Sequence, residues 1–131
     1  MSASLTLPVA RIVWLDAAVC LSTGLVLAVA NTPIAGITAI PAGLVLWSGL
    51  LLLPIAAFMA FVASRRPVPA LGLTLIVFGN LGWVVVSLAL LTGLWFTPNA
   101  IGVAFILAQA AFVAFFAWIE HAAKRSAPAG V

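Results

Sequence analysis

Two long stretches without a charged side chain constrain the fold of this chain more than any other feature. Residues 17–64 and 67–119 contain no Asp, Glu, Lys or Arg. A helix that crosses a bilayer takes roughly 20 apolar residues, so each stretch is long enough for two crossings. Charged residues make up 5% of the chain, far less than in a soluble domain. The sequence therefore predicts an all-α, polytopic membrane protein in which residues 1–131 form a single four-transmembrane-helix bundle.

Proline, glycine and asparagine mark the connectors between the predicted spans. We place the four spans at about 9–30, 42–63, 70–94 and 99–121. The first connector, residues 31–43, is apolar and contains Pro33 and Pro41. Because it is long for a turn, it either lies at the membrane interface or re-enters the membrane between helices.

Basic residues occur only beside the ends of the predicted spans, and the first and third connectors carry no charge. Short loops rich in Lys and Arg face the cytoplasm. We therefore expect both termini and the central connector to be cytoplasmic, in a multi-pass protein of the cell inner membrane. The net charge of +3 is interpreted as a sign of topology, and no nucleic-acid partner is expected. The predicted cytoplasmic charge cluster consists of Arg11, Arg65, Arg66, Lys124 and Arg125.

The counts of cysteine and histidine exclude several chemistries. With one residue of each type, Cys20 and His121, the chain cannot form an intrachain disulfide, a CxxC redox pair or a metal site built from several Cys or His ligands. The serines within the spans have no histidine at their depth to act as a base. We therefore expect neither a cofactor nor an enzyme, although a quinone-binding role stays open.

Four polar side chains within the spans are candidate functional or packing residues. Ionisable groups in a span are costly and are functional candidates by default. Asp16 follows Arg11 by five positions and Glu120 precedes Lys124 by four, so each acid is expected to lie near a cation. Two interpretations stay open: a ring of interfacial ion pairs, or a cytoplasm-facing vestibule with Asp16 as a proton or cation site. The four candidates are Asp16, Asn80, Gln109 and Glu120.

The two neutral candidates lie deeper in the third and fourth spans. Amide side chains hydrogen-bond between membrane helices, and small residues let helices approach closely. We therefore expect a bond between Asn80 and Gln109, or one like it, to hold helices together rather than to bind a substrate. Pro54, inside the second span, removes one helical hydrogen bond and is expected to kink that helix.

Several segments together resemble a known group of proteins. They are Gly49–Phe58 (GLLLLPIAAF), the Arg/Pro connector after it, Asn80 with Trp83 and Ser87, the Thr97-Pro98 turn, and Gln109-Ala110. Over nearly the whole chain, these features resemble a group of uncharacterised bacterial four-helix membrane proteins of about this size. The resemblance implies a fold and a membrane location but no chemistry. A looser, architectural likeness is to DoxX-like proteins, which also have an apolar loop after the first helix.

Two hypotheses for the function follow. The first is an accessory or structural component of the inner membrane, which works as a homo-oligomer or in a larger membrane complex within the lipid bilayer. The alternative is a small oligomeric transporter or channel in which Asp16 is the proton or cation site. An acid at mid-depth would favour the second hypothesis, and the sequence places its two acids nearer the cytoplasmic side.

Overall fold

The computed structural model describes residues 8–126, and all regular secondary structure in that range is helical. Four helices are long and apolar enough to cross a membrane, which confirms the four predicted spans and makes this a multi-pass membrane protein. A fifth, short helix lies in the first connector. In chain order the helices are α1 (Val9–Val29), α2 (Asn31–Thr38), α3 (Ala42–Ser64), α4 (Ala70–Leu90) and α5 (Ala100–Ser126).

Prolines set the beginnings of three long helices. Pro8, Pro41 and Pro69 each directly precede the first helical residue. Proline fixes its own φ and has no N–H to donate, so it ends the preceding segment while leaving the next helix free to start. Pro54, by contrast, lies within the continuous helix α3.

Two of the long helices end at positions that differ from the prediction. Helix α4 stops at Leu90 rather than near residue 94, because the chain turns there and Gly93 adopts a φ of 82°. That conformation is open mainly to glycine. Helix α5 continues through Ser126 rather than ending near residue 121. The Ala, Lys and Arg residues after His121 are good helix formers, and no Gly or Pro interrupts them before that point.

The four long helices form two closely packed pairs. Helix α1 packs along α3, and α4 packs along α5. Two glycines allow the first pair to approach closely: a Cβ at Gly49 would lie 2.7 Å from the carbonyl oxygen of Gly24. The pairs meet where α1 contacts α5 and, near the charged residues, where Val62 of α3 lies against Gly72 of α4. Helices α3 and α4 have few other contacts. An open space between the two pairs results.

The short helix α2 closes one end of this arrangement. It packs against α3 and α5, and it ends at Thr38, which is followed by Ala39 with a φ of 58°. The connector 31–43 is therefore partly helical and packs on one side against two neighbouring helices. Asn99 joins this helix to the start of α5. Its backbone N–H donates to the carbonyl oxygen of Thr38 at 3.1 Å, and its side-chain amide donates to that of Ile37 at 2.8 Å.

The opposite end of the bundle carries the basic residues. A buried apolar cluster there joins Val13 of α1 to Met59 and Val62 of α3 and to Leu73 of α4. Lys124 Nζ donates to the Thr74 hydroxyl, which joins the last turns of α5 to the start of α4. We call this end, with Arg11, Arg65, Arg66, Lys124 and Arg125, the charged end.

Candidate functional site: a buried carboxyl–amide cluster beside a central cleft

A single amide joins the two acids of the chain. The side-chain nitrogen of Asn80 donates to Asp16 Oδ2 at 3.0 Å and to Glu120 Oε1 at 2.8 Å. All three side chains are buried: Asp16 is 5% exposed, Asn80 7% and Glu120 0%. Helices α1, α4 and α5 are thus connected at one point by hydrogen bonds. We call these three residues the carboxyl–amide cluster.

Helix geometry explains why these three residues meet. Asp16 lies two turns into α1, and Glu120 lies nearly two turns before the end of α5. At 1.5 Å per residue, each acid is roughly 10 Å from the charged end. Asn80 is at the middle of α4, which starts at the charged end. Since side chains tilt toward the N-terminus of their helix, its amide reaches back to the level of the two acids.

The partners of the acids differ from those expected on sequence grounds. The sequence pointed to Arg11 and Lys124, but within residues 8–126 both carboxyl groups bond to Asn80. Arg11 is exposed, and Lys124 bonds to Thr74. The acids face the interior of the bundle, whereas the cations stay at its surface, where their charge is hydrated.

One oxygen of the cluster has no partner. Among the described residues, Glu120 Oε2 is the buried side-chain polar atom that makes no hydrogen bond. The same Asn80 nitrogen bonds to both acids, so their carboxyl groups are close neighbours. Two ionised carboxylates only accept hydrogen bonds, so a direct hydrogen bond between the two groups requires that one of them carries a proton.

A second set of polar side chains lies further from the charged end, between α4 and α5. The indole N–H of Trp83 donates to Gln109 Oε1 at 2.7 Å, and Gln109 Nε2 donates to the Ser87 hydroxyl at 2.9 Å. The same nitrogen also donates to the carbonyl oxygen of Ile106 at 2.9 Å. Asn80 and Gln109 do not bond to each other, and interhelical bonds of the expected kind instead join Asn80 to the two acids and Gln109 to Trp83 and Ser87. Hydrogen bonds of this type hold membrane helices together.

A central cleft of about 720 Å³ lies between the two helix pairs. Its walls are mostly apolar, and Asp16 and Asn80 form part of them. Glu120 does not line the cleft and connects to it through Asn80. The aromatic lining residues are Phe58, Trp83, Phe105, Phe112 and Phe116.

The cleft reaches the outer surface of the bundle. Several of its lining residues are also exposed, among them Leu51 (53%) and Phe58 (40%) of α3, Leu75 (52%) of α4 and Phe112 (56%) of α5. The first three border the gap between α3 and α4, which have few contacts with each other. In a bilayer this opening would face the hydrocarbon core of the membrane.

The other arginines of the predicted charge cluster lie at the charged end. Arg65 lies over the ring of Phe61 at 5.4 Å, and Arg66 donates to the carbonyl oxygen of Ala63 at 2.7 Å. Arg125 is exposed at the end of α5. Residues 8–126 contain no group of three or more His, Cys, Asp or Glu side chains that could hold a metal ion.

Sequence reasoning missed the junction between the two acids and Asn80. The three residues are far apart in the chain, and helical spacing relates only residues of one helix. Asp16 and Glu120 lie at nearly equal distances from the charged end. That similarity was the available signal that the two acids lie at the same level of the bundle. Trp83 was also missed as the hydrogen-bonding partner of Gln109.

No protein-family model, curated protein or solved structure is detectably similar to this chain.

Proposed function

We propose that the protein is a small transporter in which the carboxyl pair Asp16–Glu120 binds a proton and the central cleft binds a lipophilic substrate. One observation carries the proposal: Asp16 belongs to the carboxyl–amide cluster and also lines the cleft. A ligand in the cleft therefore meets the same carboxyl group that shares the proton.

The proton site is supported by the surroundings of the two acids. Within residues 8–126, their hydrogen-bonding partner is the neutral amide of Asn80, and no cation is hydrogen-bonded to either acid. Two negative charges at this depth are costly. A single proton on the pair removes one of the two charges, and Glu120 Oε2, which has no hydrogen-bond donor, is an atom that can carry it.

The cleft supports the substrate part of the proposal. Its volume of about 720 Å³ lies in the range of pockets that take drug-sized molecules. Its lining is apolar apart from a few polar groups, which is typical of such pockets. The opening between α3 and α4 provides a route from the hydrocarbon core of the membrane.

The proposal places the charged end in the cytoplasm and the protein in the inner membrane. All five Lys and Arg residues lie at that end, beside the ends of the spans. The positive-inside rule assigns such an end to the cytoplasmic side. In this orientation the carboxyl–amide cluster is nearer the cytoplasm, and α2 lies on the opposite side.

A second candidate function is the accessory or structural role expected from the sequence. The hydrogen bonds among Trp83, Ser87 and Gln109 favour it, because they satisfy one another and hold α4 against α5. Under this hypothesis the carboxyl–amide cluster also serves only to join helices. The protein would then work through a homo-oligomer or a larger complex.

Proton movement in proteoliposomes separates the two functions. Purified protein is reconstituted with a pH-sensitive dye in the lumen, and lipophilic compounds of positive, negative and zero charge are added in turn. The transporter proposal predicts that at least one compound causes proton movement that the variant Asp16→Asn lacks. If no compound moves protons beyond the level of protein-free liposomes, the proposal fails and the structural role takes its place.

A further inference from the structure

We propose that the substrate is a lipophilic cation, which binds in the central cleft beside Asp16 and displaces the proton from the Asp16–Glu120 pair. This inference rests on the proposed function, and it adds the charge of the substrate and its exchange with the proton.

The charges around the cleft favour a cationic ligand. Asp16 is the acidic residue that lines it, and no Lys, Arg or His among the described residues does so. The thiol of Cys20 is the other ionisable group in the lining. An anion would meet an acid with no compensating cation, and burying like charges together is unfavourable. The ionisable groups on the neighbouring helices are Arg11 on α1, Arg65 and Arg66 after α3, and Glu120, His121, Lys124 and Arg125 on α5.

The unpaired oxygen of Glu120 shows that the cluster lacks one hydrogen-bond donor. Glu120 is completely buried, and its Oε2 atom has no hydrogen-bonding partner. Buried polar atoms nearly always have one. Asn80 already donates to both acids. A proton on the pair supplies that donor, and a cation in the cleft would replace its charge from the Asp16 side, since Asp16 lines the cleft.

The aromatic lining supplies the second part of the recognition. Phe58, Trp83 and Phe112 lie on three different helices around the cleft. Aromatic faces attract cations, most strongly where water is excluded. An organic cation with apolar substituents would therefore bury those substituents against the walls while its charge stays near Asp16.

The exchange conserves charge at the site. Before binding, one proton is shared by the two carboxyl groups, so the pair carries one negative charge. When the cation binds beside Asp16, that proton leaves to water and both carboxyl groups are ionised. The pair and its ligand together again carry one negative charge. A neutral ligand gives no such compensation, so it binds without releasing the proton.

The test measures binding and proton release together, with three probes of similar shape. Purified protein in detergent and weak buffer is titrated with tetraphenylphosphonium, tetraphenylborate or triphenylphosphine oxide. Tryptophan fluorescence reports binding, because Trp83 lines the cleft, and a pH indicator reports protons. We expect the phosphonium cation to bind with release of about one proton, and its affinity to rise up to tenfold per pH unit while the site is protonated. The anion and the neutral oxide should release none.

Two matched substitutions on α4 show whether binding occurs in the cleft. Gly79 lines the cleft and Gly82 does not, and a Cβ at either position has no atom within 4 Å. Gly79→Phe should abolish phosphonium binding, whereas Gly82→Phe should leave it unchanged. Asp16→Asn should abolish proton release, and circular dichroism and gel filtration report whether that variant is folded.

The outcomes separate this inference from the proposed function. Phosphonium binding without proton release, or unchanged binding in Gly79→Phe, overturns the cationic exchange. If instead the neutral or anionic probe moves protons in an Asp16-dependent way, the transporter proposal stands and the substrate class is wrong. If no probe moves protons in proteoliposomes, both proposals fall.

Discussion

The amide nitrogen of Asn80 lies 2.8 Å from Glu120 Oε1, in a hydrogen bond between the middle of α4 and the part of α5 near the charged end. The same nitrogen donates to Asp16 of α1. One neutral side chain thus hydrogen-bonds to both side-chain carboxyl groups of the protein, because the sequence contains two acidic residues in total. This arrangement makes several outcomes measurable.

Removing the shared donor should destabilise the protein. Asn80→Leu leaves buried oxygens of both acids without a donor, so we expect the free energy of unfolding to fall by about 1–3 kcal/mol. Gly79→Ala on the same helix is the control, because its new Cβ meets no atom within 4 Å. Unfolding in mixed micelles measures both. Equal stability of the two variants would mean that the cluster does not hold the helices.

The contact between α1 and α3 should depend on glycine at position 49. A Cβ there would lie 2.7 Å from the carbonyl oxygen of Gly24 and 2.7 Å from the backbone nitrogen of Ala28. Gly49→Ala must therefore push the helices apart, at a cost of about 1–3 kcal/mol of unfolding free energy. Gly43→Ala, also on α3, introduces a Cβ into open space and should not be destabilising. If both variants have the same free energy of unfolding, the close approach of α1 and α3 is contradicted.

The junction between α2 and α5 should likewise depend on glycine at position 102. A Cβ at Gly102 would overlap the carbonyl oxygen of Thr38, so Gly102→Ala must displace α2 or the start of α5. We expect faster cleavage within residues 31–43 by an added protease, because that connector loses its contacts with α5. Gly36→Ala is the control, since its Cβ meets no atom within 4 Å. Protection unchanged in Gly102→Ala would contradict the packing of α2.

Cysteine labelling tests the orientation of the protein. In a Cys20→Ser background, single cysteines replace Ser64 near the charged end and Thr97 near the opposite end, both at exposed positions. A membrane-impermeant maleimide added to intact cells that expose the outer face of the inner membrane should label Thr97→Cys alone. Labelling of Ser64→Cys alone would reverse the proposed orientation.

The sequence predicted the number of spans and most of their boundaries because charge and hydropathy are local properties. Within the uncharged stretches 17–64 and 67–119, apolar runs of about 20 residues are typical of membrane-spanning helices, which satisfy their own backbone hydrogen bonds. The C-terminal boundaries were less accurate. The end of α4 depends on the conformation at Gly93, and the end of α5 depends on how far good helix formers continue past His121.

The sequence predicted which residues belong to the candidate site but not which hydrogen bonds join them. Asp16, Asn80, Gln109 and Glu120 were singled out because polar groups in a span are rare. Their partners depend on how α1, α4 and α5 are rotated about their axes, which the sequence pattern did not reveal. The nearest cations along the chain looked like suitable partners for the acids, yet the rotation of the helices turns those cations away from the interior.

Infrared spectroscopy of the purified protein tests the shared proton most directly. Asp16 and Glu120 are the only side-chain carboxyl groups in the chain, so a carbonyl stretch from a protonated side chain can come from no other residue. We predict that this band is present at neutral pH in the wild-type protein and absent from the double variant Asp16→Asn, Glu120→Gln. A wild-type spectrum at neutral pH that contains only carboxylate bands would contradict the account.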